Sequence, residues 1–300
     1  MPTSPLSDDR RGTLLGVIAY LIWGFAALYW VQTEPVDARD LLAHRALWSL
    51  PLVVLCLLYI GRFKESLSIL RDPRTLAIMA CAALFSASNW GIFLWAVTHG
   101  KATEASLGYF LLPLLNVVIG LTIFRETIDF PQKLAVAFAL VGLMVQIFHY
   151  GGLPLVSLGL AFSFGLYGAL RKAVSVGSVE GLFIELLIMA PFAIVWLIYR
   201  DGGGMGQYGL KVDMLLLGSA LVTAIPLMCY VAASRLIPLT ALGLVFYIGP
   251  TTQLLIAVFV FDEPFAQVQL ISFGLVWIGL FLMTADNFRR SKLRARMFKR

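Results

Sequence analysis

Charge is what this 300-residue chain has least of: 13% of its residues are Asp, Glu, Lys or Arg, and 60% are hydrophobic. A soluble domain carries about 25% charged residues. An ordinary soluble enzyme, a disordered chain and a wet-surfaced repeat solenoid are therefore excluded. Cysteine is also scarce. Cys56, Cys81 and Cys229 each stand inside an apolar run and form no C-x-x-C pair, which excludes a disulfide framework and a thiolate metal site. The histidines, His44, His99 and His149, are too scattered to hold a metal. No G-x-x-x-x-G-K-[ST] occurs, so no bound nucleotide drives the protein directly. Neither G-x-S-x-G nor a pair of mid-membrane aspartates is present, so a serine elbow and an aspartyl dyad are missing too. No cofactor and no metal are expected.

Long hydrophobic runs are abundant, and the mean hydropathy is +0.86. A helix needs roughly 20 apolar residues to cross a bilayer. On that criterion the chain divides into ten segments, near Thr13–Val31, Leu41–Tyr59, Leu76–Thr98, Ala105–Phe124, Leu134–Phe148, Leu155–Leu170, Gly181–Tyr199, Met214–Ala233, Thr240–Phe261 and Val268–Asp286. The first is too long for a signal-peptide core and lacks a small-residue cleavage site, so it is expected to stay as a span. The connections are short. The longest, Arg200 to Asp213, contains Gly202-Gly203-Gly204 and reads as a flexible surface loop.

Orientation follows from Lys and Arg on alternate sides. The N-terminus, the even-numbered loops and the tail hold 18 of the 23, the odd-numbered loops hold 4, and Arg45 lies within the second span. That bias predicts both termini in the cytoplasm, with the basic tail on the anionic inner leaflet as a topology anchor. A net charge of +6 then reports loop orientation rather than nucleic-acid binding.

Sliding the chain by 137 residues superimposes spans 4 and 5 on spans 9 and 10 without a gap, pairing Pro113/Pro250, Phe124/Phe261, Glu126/Glu263, Gln132/Gln269 and Gly142/Gly279. Between them fall Tyr109/Phe246, Phe110/Tyr247 and Asn116/Gln253. Halves of five spans must insert in opposite orientations, the inverted-repeat plan of many secondary transporters. Pro113 and Pro250 each remove a backbone donor and free the carbonyl four residues earlier, at Tyr109 and Phe246. Such a break at membrane depth persists only against protein or a watered cavity. Spacings of four and three put aromatic, proline and amide on one helix face. The simple reading is a packing kink with an interhelical amide bond; recurrence in both halves points to hinges and a cavity lining.

Several stretches carry a resemblance: Leu42-Ala43-His44-Arg45-Ala46-Leu47-Trp48-Ser49, Ser88-Asn89-Trp90, Trp95-Ala96-Val97-Thr98-His99-Gly100 and Glu104-Ala105-Ser106-Leu107-Gly108-Tyr109-Phe110. So do Ser163-Phe164-Gly165-Leu166-Tyr167-Gly168 and Phe246-Tyr247-Ile248-Gly249-Pro250-Thr251. Together they resemble the RarD-type subfamily of the EamA family, within the drug/metabolite transporter superfamily. The resemblance implies an all-α integral membrane protein of ten helices as two inverted five-helix EamA repeats, 11–148 and 154–286, before a basic tail, 287–300. It also implies a cavity lined by spans 1, 3, 4, 6, 8 and 9, and export of small organic molecules.

An ionisable residue at the bilayer centre costs roughly 2.5–3.5 kcal/mol, so each needs a reason. Arg45 could pair with Asp40, Asp37 or Glu34, which precede it, or touch substrate. His44 could carry a coupled proton or be a hydrogen-bonded structural histidine. Glu185 could pair with Arg171 or Lys172. Glu126 and Glu263 read as helix caps. Tyr20, Trp23, Asn89, Trp90, Tyr109, Asn116, Tyr167, Phe246, Tyr247 and Gln253 are the candidate cavity residues, with Pro113 and Pro250 as hinges and His44 and Arg45 as coupling groups. Aromatic faces suit flat or cationic solutes, although packing also explains aromatics in membrane helices. The expected function is alternating-access transport of a small organic solute across the inner membrane. A lipid-modifying membrane enzyme and a non-transporting sensor are the rivals.

Overall fold

The computed structural model describes residues 5–99, 102–151, 155–262 and 267–297. Glu263, the side chain of Glu104 and the side chains of the basic tail lie outside the described residues. The described residues form helices and turns, with no strand. The α-helices are α1 (Pro5–Trp30), α2 (Ala38–Tyr59), α3 (Phe63–Ser68), α4 (Pro73–Thr98), α5 (Ala102–Thr122), α6 (Phe130–Tyr150), α7 (Leu155–Ala173), α8 (Ser178–Tyr199), α9 (Leu210–Leu236), α10 (Leu239–Val245), α11 (Ile248–Phe259) and α12 (Gln267–Met297).

Seven of the helical stretches are long and apolar enough to cross a membrane, and Gly108–Thr122 and Gln267–Leu282 are shorter apolar helices. The span composed of α7 brings these to the ten segments of the sequence. It is less apolar because Arg171 and Lys172 occupy its last turn. At the starts of α2 and α6, polar side chains satisfy free backbone donors. Asp37 accepts from the Arg39 N–H at 2.8 Å ahead of α2. Asp129 and Gln132 form a reciprocal capping box ahead of α6, and Gly151 closes that helix in the left-handed region at φ 82°.

Equivalent helices of the two halves pack on each other and run antiparallel: α2 on α8, α5 on α10, and α6 on α12. A β-carbon on Gly142 would meet the Ser272 carbonyl at 2.9 Å, and one on Gly279 would meet the Ala135 Cα at 2.9 Å. Ser272 and Ala135 are themselves repeat mates, so one close crossing is used twice, in opposite directions. The α2–α8 pair shows the same symmetry in charge. Asp40 in the first turn of α2 meets Arg200 beyond α8 at 3.1 Å, and Glu180 in the first turn of α8 meets Arg62 beyond α2 at 2.5 Å. Pro51 and Pro191 also coincide in this pair. They are a second repeat-related proline pair, hidden from the sequence comparison because the offset here is three residues longer.

The loop after α8 is not a loose surface strand. Gly203 and Gly204 are buried, with φ of 55° and 89°. The loop folds as consecutive turns against α2, so that Gly202 donates to the Leu197 carbonyl at 2.8 Å. Glycine is required here because a β-carbon on Gly203 would strike Leu197.

The two mid-span prolines differ in effect. Helix α5 runs unbroken through Pro113. The ninth span breaks at Phe246-Tyr247, separating α10 from α11, and Pro250 sits in the first turn after the break. The Phe246 carbonyl that Pro250 leaves free accepts instead from the Gly249 N–H at 3.0 Å.

Candidate functional site

A cavity of about 390 Å³ lies between the halves, within the range of a small-molecule site. Helix α1 contributes Tyr20, Trp23 and Trp30; α4 contributes Asn89, Trp90 and Phe93; α5 contributes Gly108 and Tyr109. Helix α7 adds Leu160 and Phe164, α9 adds Leu227, and the broken ninth span adds Phe246, Gly249, Pro250 and Gln253. These are spans 1, 3, 4, 6, 8 and 9; α2 joins them through Arg45.

Tyr109 and Phe246 stack at 6.3 Å with an interplanar angle of 29°. Phe110 and Tyr247 meet edge to face at 6.0 Å, and the Tyr247 hydroxyl donates to the Phe110 carbonyl at 3.2 Å. Both are repeat-mate pairs. Mates can touch only near the axis that relates their halves, so Tyr109 and Phe246 mark where that axis passes the cavity. Tyr20 extends the wall from Phe246 at 5.1 Å, and Trp23 continues it to Phe164 at 5.8 Å. Tyr230 backs both Tyr20 and Trp23, and the hydroxyls of Tyr20 and Tyr230 are buried without a partner among the described residues.

The cavity amides are already engaged. Asn89 donates to the Leu160 carbonyl at 2.8 Å and the Ser163 hydroxyl at 3.0 Å, tying α4 to α7. Gln253 donates to the Trp23 carbonyl at 3.2 Å, tying α11 to α1. Arg45, 5% exposed, donates through Nε to the Thr223 hydroxyl at 2.8 Å. Its guanidinium lies 3.6 Å from the Trp90 ring centroid and 4.7 Å from that of Trp30. The expected acidic partners are occupied elsewhere, Asp37 by Arg39 and Asp40 by Arg200. No carboxylate reaches ion-pair distance of Arg45 among the described residues. Two cation–π contacts, each about 2 kcal/mol when desolvated, fall short of the several kcal/mol that burial of one ion costs.

Three expected cavity residues stand outside the wall. Asn116 is fully buried where α5 meets Gly243 of α10, with neither amide atom hydrogen-bonded among the described residues. Tyr167 donates to Glu185 at 3.3 Å, behind Phe164. Tyr247 faces away, toward the Phe110–Phe273 cluster. Pro113 is not on the wall either, whereas Pro250 is. His44 also lies apart. Its Nε2 contacts the Gly202 and Gly203 carbonyls, both at 3.1 Å, while Nδ1 accepts from the Trp48 indole at 3.1 Å. Two carbonyls at one nitrogen and a donor at the other define the neutral Nε2–H tautomer. That geometry ties α2 to the glycine turns. Sequence reasoning missed Trp30, Phe93, Phe164 and Tyr230 as members of this aromatic group. Heptad-like spacing from Tyr20 and Trp23 points at Trp30, but nothing in the local pattern marks the others.

Two polar knots flank the core. Arg171, fully buried, pairs with Glu185 at 3.0 Å and donates to the Gly177 and Ser178 carbonyls at 3.1 and 3.3 Å. Glu126 caps α10, accepting from the Leu239 and Thr240 N–H groups at 2.7 and 2.9 Å, and pairs with Lys172 at 3.3 Å. Burial works against its charge, yet those N–H groups and the Lys172 ammonium hold the Glu126 carboxyl below its ordinary value. Lys172 also donates to the Ser234 and Ile237 carbonyls, so a single ammonium ties α7, α9 and the α5–α6 turn.

Inverted helical halves around a solute-sized cavity define a multi-pass membrane protein of the transporter type. Residues 10–148 match the EamA-like transporter family. Protein RarD of Salmonella typhi is 36% identical over 95% of this chain and 99% of its own length. An uncharacterized transporter of Vibrio cholerae is 35% identical over 96% of both chains. A solved crystal structure at 20% identity superimposes with a TM-score of 0.72 over 91% of this chain and 97% of the other, which shows the shared fold. The chain belongs to the RarD-type subfamily of the EamA family and is a membrane transporter of the drug/metabolite superfamily.

Proposed function

We propose that this chain is a secondary transporter that exports a small organic metabolite or drug by alternating access. The observation carrying the reading is the cavity itself: both halves wall it, and the Tyr109–Phe246 mate pair sits on its surface. A site on the axis of an inverted repeat can open to either side by the same motion in opposite halves. Repeats over 11–148 and 154–286, a tail over 287–300 anchored to anionic lipid, and cytoplasmic termini complete the proposal. The Asp40–Arg200 and Glu180–Arg62 pairs suit it, because they clamp α2 to α8 once at each end.

The test loads proteoliposomes with labelled bacterial metabolite extract and follows retention by mass spectrometry. Wild-type vesicles should lose particular solutes that empty liposomes keep. Ala27→Trp, which fills the cavity, should restore retention. Equal retention in all three refutes transport. New product masses in the lipid fraction would instead favour a lipid-modifying enzyme.

A further inference from the structure

We propose that the cavity takes an organic anion, with a carboxylate or phosphate on the open edge of the Arg45 guanidinium and a flat apolar body against Tyr20, Trp23, Phe164 and Phe246. The inference rests on the transport reading above and names the substrate class of that site. Arg45 supplies the one formal charge among the described lining residues, and no acid accompanies it. Its Nε is used by Thr223 of α9. The two terminal nitrogens have no protein acceptor among the described residues, although the side chain is 5% exposed. Trp30 of α1 and Trp90 of α4 hold the group in place through its π-contacts and supply no acceptor. Across a void of about 30 Å³, Glu185 of α8 shares a wall with Arg45, but its charge is committed to Arg171.

A buried guanidinium with a free edge presents two parallel N–H donors, the geometry that matches a carboxylate or phosphate in bidentate fashion. The cavity amides are turned to backbone and hydroxyl oxygens, so the remaining wall is aromatic and aliphatic and suits a flat apolar body. A cationic solute would be repelled by Arg45. The aromatic surface therefore serves shape here, not recognition of positive charge.

The experiment uses the full chain in zwitterionic-lipid nanodiscs and follows the emission of Trp23, Trp30 and Trp90 during titration. The probes are 4-phenylbutyrate, its neutral amide 4-phenylbutyramide and the cationic 4-phenylbutylamine. The acid should bind about tenfold or more tighter than the amide, and the amine more weakly than either. Arg45→Gln should erase the acid–amide difference while the amide still binds. Arg45→Lys should keep part of it, as a point charge without the fork. Equal affinity for acid and amide overturns the proposal, as does no saturable binding of the acid or an unchanged preference in Arg45→Gln. If Arg45→Gln does not fold, the wild-type comparison of the three probes decides. Competition by added phosphatidylglycerol would assign the arginine to a lipid headgroup and overturn a solute site. Binding is measured without transport. An acid preference in a protein that moves nothing removes the transport reading alone, and transport without charge preference removes this one alone.

Discussion

The buried Arg171–Glu185 pair allows a quantitative test of how charge is held in this bundle. Arg171 is fully buried and Glu185 is 2% exposed. Glu185→Ala leaves a buried guanidinium without its counter-charge, a loss of about 3–5 kcal/mol. Arg171 keeps the Gly177 and Ser178 carbonyls, which favours the lower end. The Tyr167 hydroxyl loses its acceptor, which adds about 1 kcal/mol. The sum is about 4 kcal/mol, close to a thousandfold in the unfolding equilibrium at 1.4 kcal/mol per decade. At about 2 °C per kcal/mol for a chain of this size, the midpoint should fall by roughly 8 °C. The double variant Arg171→Met/Glu185→Leu removes both charges at similar volume, and should recover most of that loss. Thermal unfolding of the three proteins in matched nanodiscs supplies the measurement. A single variant within about 1 kcal/mol of wild type, or a double variant as unstable as the single, would show that the pair does not hold this end of the bundle.

Glu126→Ala should cost about 1–2 kcal/mol at neutral pH through loss of the α10 cap. Because the Glu126 carboxyl is held below its ordinary value, its contribution is complete above that value and disappears as pH falls through the lowered one. The difference from wild type in thermal midpoint should therefore narrow on acidification, and a pH-independent difference would show that the charge is irrelevant. Pro113→Ala and Pro250→Ala should fold with unchanged or slightly raised stability, since each restores a backbone donor, yet transport poorly. Cavity-cysteine labelling should shift in opposite directions in the two variants, and parental transport rates in both would return the prolines to packing. For topology, Lys64→Cys should be shielded from an impermeant thiol reagent in intact cells and Gln207→Cys should react; both positions are exposed. The opposite pattern would invert the orientation.

The sequence by itself determined the helical membrane class, because backbone groups in lipid must be satisfied within a segment and apolar runs of sufficient length leave no other solution. It also determined the repeat, since Pro, Glu, Gln and Gly in one register survive comparison without any structure. Tyr20, Trp23, Asn89, Trp90, Tyr109, Phe246 and Gln253 reach the cavity because their helix faces follow from periodicity once the spans are placed. Tertiary structure decided the rest, through contacts between residues distant in the chain. Asp40 is four to five residues from His44 and Arg45 in sequence, but Arg200 and Trp196, 160 and 156 residues away, claim it. Arg45 is left to Thr223 and two indoles from three other helices. Asn116, on the same helix face as Tyr109, turns out to meet Gly243, because α10 comes close enough there to cover it. Local pattern fixes which way a side chain leaves its own helix, but packing of the neighbouring helices decides whether it finds a cavity, a partner or a wall.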